Sequence, residues 1–111
     1  MATETLGEFE QLILLAIVHL GDAAYGAAIR RVIEGRTGRE VAIGALYTAL
    51  ERLERKRFVG SQMSAPTAER GGRARRQFEM RPAGAAALKR SRDTLARMWH
   101  GLSPDLRRTR G

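Results

Sequence analysis

The apolar positions of this chain fall into three helical stripes, a pair of short alternating segments and a final helical stripe. In the first segment, Leu6 to Leu20, the residues Phe9, Leu12, Ile13, Ala16, Ile17 and Leu20 repeat at three and four, the spacing of one helix face. Leu14, Leu15 and Val18 widen that face around much of the helix. So broad an apolar surface needs more than one neighbour, and a second subunit is a candidate for one of them. Gly21 and Asp22 end it. A second helix is predicted from Tyr25 to Thr37, with Ile29, Val32 and Ile33 inward and Gly38 placed for a left-handed C-terminal cap. A third runs from Ile43 to Lys56, with Ile43, Leu46, Leu50 and Leu53 on its inner side.

Periodicity then changes from helical to alternating. Phe58 to Ser64 and Arg76 to Arg81 read as paired strands, with Val59, Ser61 and Met63 alternating on one and Phe78 and Met80 on the other. The polar stretch between them carries Pro66 and Gly71–Gly72, which reads as a loop. Pro82 suits the first turn of a last helix, which continues to Leu102, roughly 30 Å at 1.5 Å per residue. On it Leu88, Leu95, Met98 and Leu102 form a heptad-like seam, with Ser91 its polar member and Trp99 alongside.

This order predicts a mainly α chain with one small β-hairpin (α+β): a winged helix-turn-helix over residues 1–81, a dimerisation helix over 82–102 and a basic, frayed tail over 103–111. In such a fold the third helix enters the major groove while the second crosses the backbone. With its apolar stripe inward, the outward arc of the third helix holds Gly44, Ala45, Thr48, Arg52 and Arg55. The first two are small enough to let the backbone approach a duplex. Thr48 can bond a base edge or touch a thymine methyl, and the arginines can reach phosphates. Tyr47 flanks the arc, as either a phosphate contact or a partly buried structural tyrosine. Glu51 and Glu54 face away from DNA or pair with arginines. At the hairpin tip Arg70, Arg73, Arg75 and Arg76 are candidates for phosphate or minor-groove contact. The winged unit is too short to cover the seam of the last helix, so a two-fold homodimer is expected, with Phe9, Leu12, Leu88, Leu95, Met98 and Leu102 at its interface.

Charge sharpens this picture. The chain has 111 residues and a formal charge of +8, unevenly spread. Up to Glu69 there are eight basic and nine acidic residues; from Arg70 onward there are twelve and three. That asymmetry favours a polyanionic partner. With no cysteine, disulfides and thiolate metal sites are excluded. The longest apolar run, Leu12 to Val18, is too short to span a bilayer, and no basic segment of a signal peptide precedes it, so a cytoplasmic protein without a membrane partner is expected. His19 and His100 stand alone, and there is no metal-ligand spacing, phosphate loop or nucleophile motif. The reading is a DNA-binding regulator without cofactor or catalytic activity. An RNA-binding module or protein adaptor on the same fold is the alternative, although RNA readers usually expose aromatics for stacking and the arginine loop has none.

The stretches LGEFEQLILLAIVHLGDAAYGAAIRR, GALYTALERLERKRFV and ERGGRARRQFEMRPAG resemble the PadR family of bacterial transcriptional regulators, over about Leu6 to Leu102. The resemblance implies a winged-helix homodimer, usually a repressor, paired through its first and last helices. Members act on genes for phenolic-acid stress, drug efflux or other responses. It also implies a pseudo-palindromic operator met by the tyrosine at Tyr47, the start of the third helix and the wing. Three positions depart from the family pattern. Ala42 replaces a frequent serine and loses a helix cap worth about 1 kcal/mol. Arg57 replaces a glycine, which strains any left-handed turn there. Arg81 replaces a threonine or serine cap. In some drug-sensing relatives an aromatic on the last helix stacks flat ligands between subunits. Here that role would fall to Trp99, with Met98 and Leu95 beside it. An interface anchor without ligand is the other reading of Trp99.

Overall fold

The computed structural model describes residues 6–64 and 75–106. Its elements are α1 (Glu8–Leu20), a 3-10 turn (Gly21–Ala23), α2 (Gly26–Thr37), α3 (Ile43–Arg55), β1 (Val59–Met63), β2 (Arg76–Met80) and α4 (Pro82–Trp99).

Local chemistry sets the boundaries. At the start of α1 the Glu10 carboxylate reaches back to accept the Gly7 N–H at 2.9 Å. At its end Gly21 turns the chain with φ 57°. Helix α2 closes on Gly38 (φ 74°), whose N–H returns to the Glu34 carbonyl at 2.9 Å. Helix α3 begins at Ala42 with no side-chain cap. It ends in a Schellman turn: Phe58 N–H bonds the Leu53 carbonyl and Arg57 N–H the Glu54 carbonyl, each at 3.0 Å. That turn forces Arg57 into the left-handed region, at φ 64°.

The hairpin is antiparallel, with Val59 opposite Met80, Ser61 opposite Phe78 and Met63 opposite Arg76. Sequence patterning does not foresee a further attachment. Phe78 N–H bonds the Ala24 carbonyl at 2.8 Å, and Tyr25 forms a β-bridge with Gln77. The segment entering α2 thus edges the wing and fixes β2 against the helical body.

The core lies between α1, α2, α3 and the inner face of the hairpin. Ile13, Leu14, Ile29, Leu46, Leu50, Leu53, Val59 and Phe78 are fully buried there. Helix α4 contributes little beyond its first two turns, burying only Gly84 and Ala87. Gly84 is required by close packing, because a Cβ would overlap the Phe58 carbonyl oxygen and stand 3.0 Å from its carbon.

Two expectations change. Ile43, placed on the inner stripe of α3, is 44% exposed, because it is the first residue of the helix and precedes the turn that meets the core; Ala49 joins the stripe instead. The broad apolar face of α1 is covered only in part by the chain itself, with Leu15 and Val18 outward at 44% and 59% exposure. Helix α4 stops at Trp99 rather than Leu102, because His100 leaves helical angles and Gly101 turns left-handed at φ 86°, so Leu102 lies beyond its seam.

Candidate nucleic-acid interface

The outward side of α3 presents Gly44, Ala45 and Thr48, all exposed, toward one face of the molecule. Small residues here leave the helix backbone close to whatever lies against it. Tyr47 is 41% exposed, and its hydroxyl end leans over the first turn of α2. A Cβ at Gly26 would overlap that hydroxyl, so glycine at this position permits the close approach of α2 and α3.

Beside Tyr47 a groove of about 510 Å³ opens between α2 and the root of the wing. Its cationic side chains are Arg31, Arg75 and Arg76, and its aromatic walls are Tyr25 and Tyr47. The Arg75 guanidinium lies 4.1 Å from the centroid of the Tyr25 ring. Arg76 is turned across the sheet instead: it donates to Ser61 Oγ at 2.9 Å and approaches Glu54 at 3.9 Å, while Ser61 donates to Glu54 at 2.7 Å. Arg70 and Arg73, the other wing arginines expected at DNA, lie outside the described residues.

Of the two α3 arginines expected at phosphates, Arg55 is exposed and Arg52, half-exposed, is paired with Glu10. Arg52 Nε and Lys56 Nζ both meet Glu10 Oε2 at 3.2 Å. Glu10 is 5% exposed, the buried charged residue of the core. Burial pushes its carboxyl pKa up, but the Gly7 N–H, Arg52 and Lys56 outweigh that and leave it below the usual glutamate value. The clasp ties the C-terminal half of α3 to α1 and leaves the N-terminal half to face outward. Sequence reading passed over Glu10; the available signal was a carboxylate next to the apolar stripe of α1, three residues after a capping position.

A second surface lies along α1 and α4. An apolar groove of about 820 Å³ is lined by Leu15, Val18, Met80, Leu88, Leu95 and Trp99 among others, with Gln11, Lys89 and Arg92 also along it. Of the residues expected at a subunit interface, Leu88 and Leu95 line this groove, while Met98 and Leu102 are exposed toward the end of α4. Phe9 and Leu12 pack against the chain's own core, and Phe9 also carries the Arg39 guanidinium 5.1 Å from its centroid. Leu15 and Val18 are the apolar α1 residues on the groove. Trp99 is 46% exposed on its wall, with Leu95 beside it; Met98 is not part of the lining. Among the described residues no His, Cys, Asp and Glu group could hold a metal, and no helix is long and apolar enough to cross a membrane.

Three helices, a hairpin pinned to the second helix and an outlying fourth helix define a winged helix-turn-helix protein. Residues 14–90 match the transcriptional regulator PadR-like family, and the chain belongs to that family. It is a transcriptional regulator of the DNA-binding kind that the family comprises.

No curated protein matches the sequence closely. Among solved structures, the chain is similar to a PadR family transcription regulator from Clostridium difficile R20291, at 22% identity and a TM-score of 0.69, covering 83% of this chain and 91% of that one. It is also similar to the PadR-like regulator of Bacillus cereus ATCC 14579, at 18% identity and a TM-score of 0.67, covering 81% and 82%. The complex structure of hsRosR-S4 matches at 26% identity and a TM-score of 0.63, covering 88% and 77%. The two PadR-like structures share the fold with this chain.

Proposed function

We propose that the protein is a homodimeric repressor that binds a pseudo-palindromic operator, each subunit placing the N-terminal half of α3 in a major groove and its wing on the adjoining backbone. The observation that carries this reading is the joining of two features on one face: the small, exposed residues Gly44, Ala45 and Thr48, and the arginine-lined groove beside Tyr47. A groove-reading helix needs close backbone approach, and its register is fixed by phosphate contacts on either side. Arg55, Arg75 and the wing arginines Arg70 and Arg73 supply cations for that purpose, while Arg76 is held by Ser61 and Glu54. Arg52 contributes mainly by tying α3 to Glu10.

Dimerisation proceeds through the apolar groove of α1 and α4. Exposed leucine, valine and tryptophan along one surface favour burial by a second copy, and isologous two-fold pairing is the commonest arrangement. A planar aromatic effector fits the same surface at Trp99 and would act by favouring one spacing of the two α3 helices over another. The regulated genes are then those of a stress or efflux response.

Two measurements test this reading together. Sedimentation should return a dimer, and Val18→Glu, which sets a charge on the groove wall, should shift it to monomer. Salt titrations should show duplex DNA bound more tightly than single-stranded RNA of the same length. A wild-type monomer, or preference for the RNA, overturns the proposal; the RNA result supports the alternative module.

A further inference from the structure

We propose that Tyr25 is a positioning residue for DNA binding: its ring holds the Arg75 guanidinium in place so that Arg75, with Arg31 of the same groove, clamps one backbone phosphate. The inference rests on the duplex-binding reading above and assigns the groove to a phosphodiester.

Arg75 sits where the wing leaves the body. Its N–H is bonded to Ser64 Oγ at 3.0 Å and its carbonyl to Ser64 N–H at 2.7 Å, so its backbone is fixed. Tyr25 is fixed too, by the β-bridge to Gln77, two residues beyond Arg75. The 4.1 Å stacking therefore joins two anchored residues of the groove lining. Among the described residues Arg75 has no carboxylate within ion-pair distance, whereas Arg76 next to it is engaged by Ser61 and Glu54. Arg31 lines the same groove and has no carboxylate within that distance either; its neighbour Arg30 pairs with Glu34 at 3.5 Å. Two cations without acidic partners among the described residues thus line one hollow about 510 Å³ in volume. A stacked guanidinium keeps its N–H edge free to donate, and an arginine already in place loses less conformational freedom on binding than a free one. The planar fork suits two oxygens of a phosphodiester.

The test uses the full chain and a fluorescein-labelled duplex of mixed sequence, with anisotropy measured over a series of KCl concentrations. Arg75→Ala and Arg31→Ala should each weaken binding, and removing both should lower the salt slope by about 0.9, the value of the one phosphate contact they share. Tyr25→Leu should weaken binding about 2- to 5-fold, the scale of an exposed cation–π contact, with the slope unchanged because the charge remains. Tyr25→Phe should restore most of the loss. The double variant Tyr25→Leu/Arg75→Ala should bind no more weakly than Arg75→Ala alone. Losses that multiply in the double variant, or a Tyr25→Leu protein with wild-type affinity, overturn the role of Tyr25. Wild-type affinity in Arg31→Ala removes Arg31 from the clamp. Failure of the wild type to bind any duplex sinks the DNA reading itself, and is distinct from either result. Should Tyr25→Leu not fold, the unmodified protein decides: in its NMR spectrum the Arg75 δ-methylene protons should be shifted upfield by the ring, and ordinary shifts would overturn the stacking.

Discussion

Replacing Glu10 by glutamine removes the negative charge that Arg52 and Lys56 of α3 both face. In the wild type one carboxylate oxygen accepts the Gly7 N–H and the other accepts both cations at 3.2 Å, so the buried group is fully used. Removing one partner of a fully buried ion pair costs about 3–5 kcal/mol, because the remaining charge is stranded. Here the cations are partly solvated, with Arg52 and Lys56 side chains 43% and 20% exposed, and can turn to water. The loss at neutral pH should therefore be smaller, about 1–3 kcal/mol. Each kcal/mol lowers the melting temperature of a domain this size by about 4–8 °C. The pH dependence gives the sharper test. The folded-state pKa of Glu10 is lowered, so its contribution is complete above the unfolded-state value and is lost as pH falls through the folded one. The stability gap between wild type and Glu10→Gln, measured by urea melts at fixed protein concentration, should be full at neutral pH and close on acidification below the ordinary glutamate range. A gap of the same size at neutral and strongly acidic pH, or none at neutral pH, would refute the clasp.

Other substitutions follow from particular contacts. Arg57→Gly relieves a left-handed arginine that costs about 1–2 kcal/mol, against a glycine entropy cost of about 0.5–1, so thermal melts should show a gain of roughly 0.5–1 kcal/mol. Gly84→Ala sets a Cβ on the Phe58 carbonyl, which is backbone and cannot yield cheaply; urea melts should show a loss of about 1–3 kcal/mol. Thr48→Ala should narrow the affinity difference between the preferred duplex and its single-base variants, while affinity for mixed-sequence DNA stays near wild type. Equal losses on all duplexes would assign Thr48 to the phosphates instead.

Most of the fold was legible because its elements bury clean stripes. Ile29 and Ile33, then Leu46, Leu50 and Leu53, repeat at helical spacing, and Gly38 and Pro82 punctuate the chain where caps and first turns require them. The left-handed turn at Arg57 was legible only through family resemblance, since nothing local in an arginine announces it. What escaped depends on tertiary contact. Glu10 looks like a surface carboxylate until α3 brings Arg52 and Lys56 to it. Tyr25 reads as the start of a helix until β2 pairs beside it and places Arg75 on its ring. Ile43 carries the right spacing but precedes the turn of α3 that touches the core. Leu15 and Val18 were seen as part of a broad apolar face, but only the docking of α1 decides which side of that face the chain itself covers.

The measurement closest to the central claim is selection of bound duplexes from a random pool by the purified full-length chain, followed by sequencing. The account predicts enrichment of two inverted half-sites at a fixed separation of one helical turn or a multiple of it, as two α3 helices on one face of DNA require. A pool that remains unenriched, or that converges on a single half-site without symmetry, would contradict a dimer reading DNA through α3.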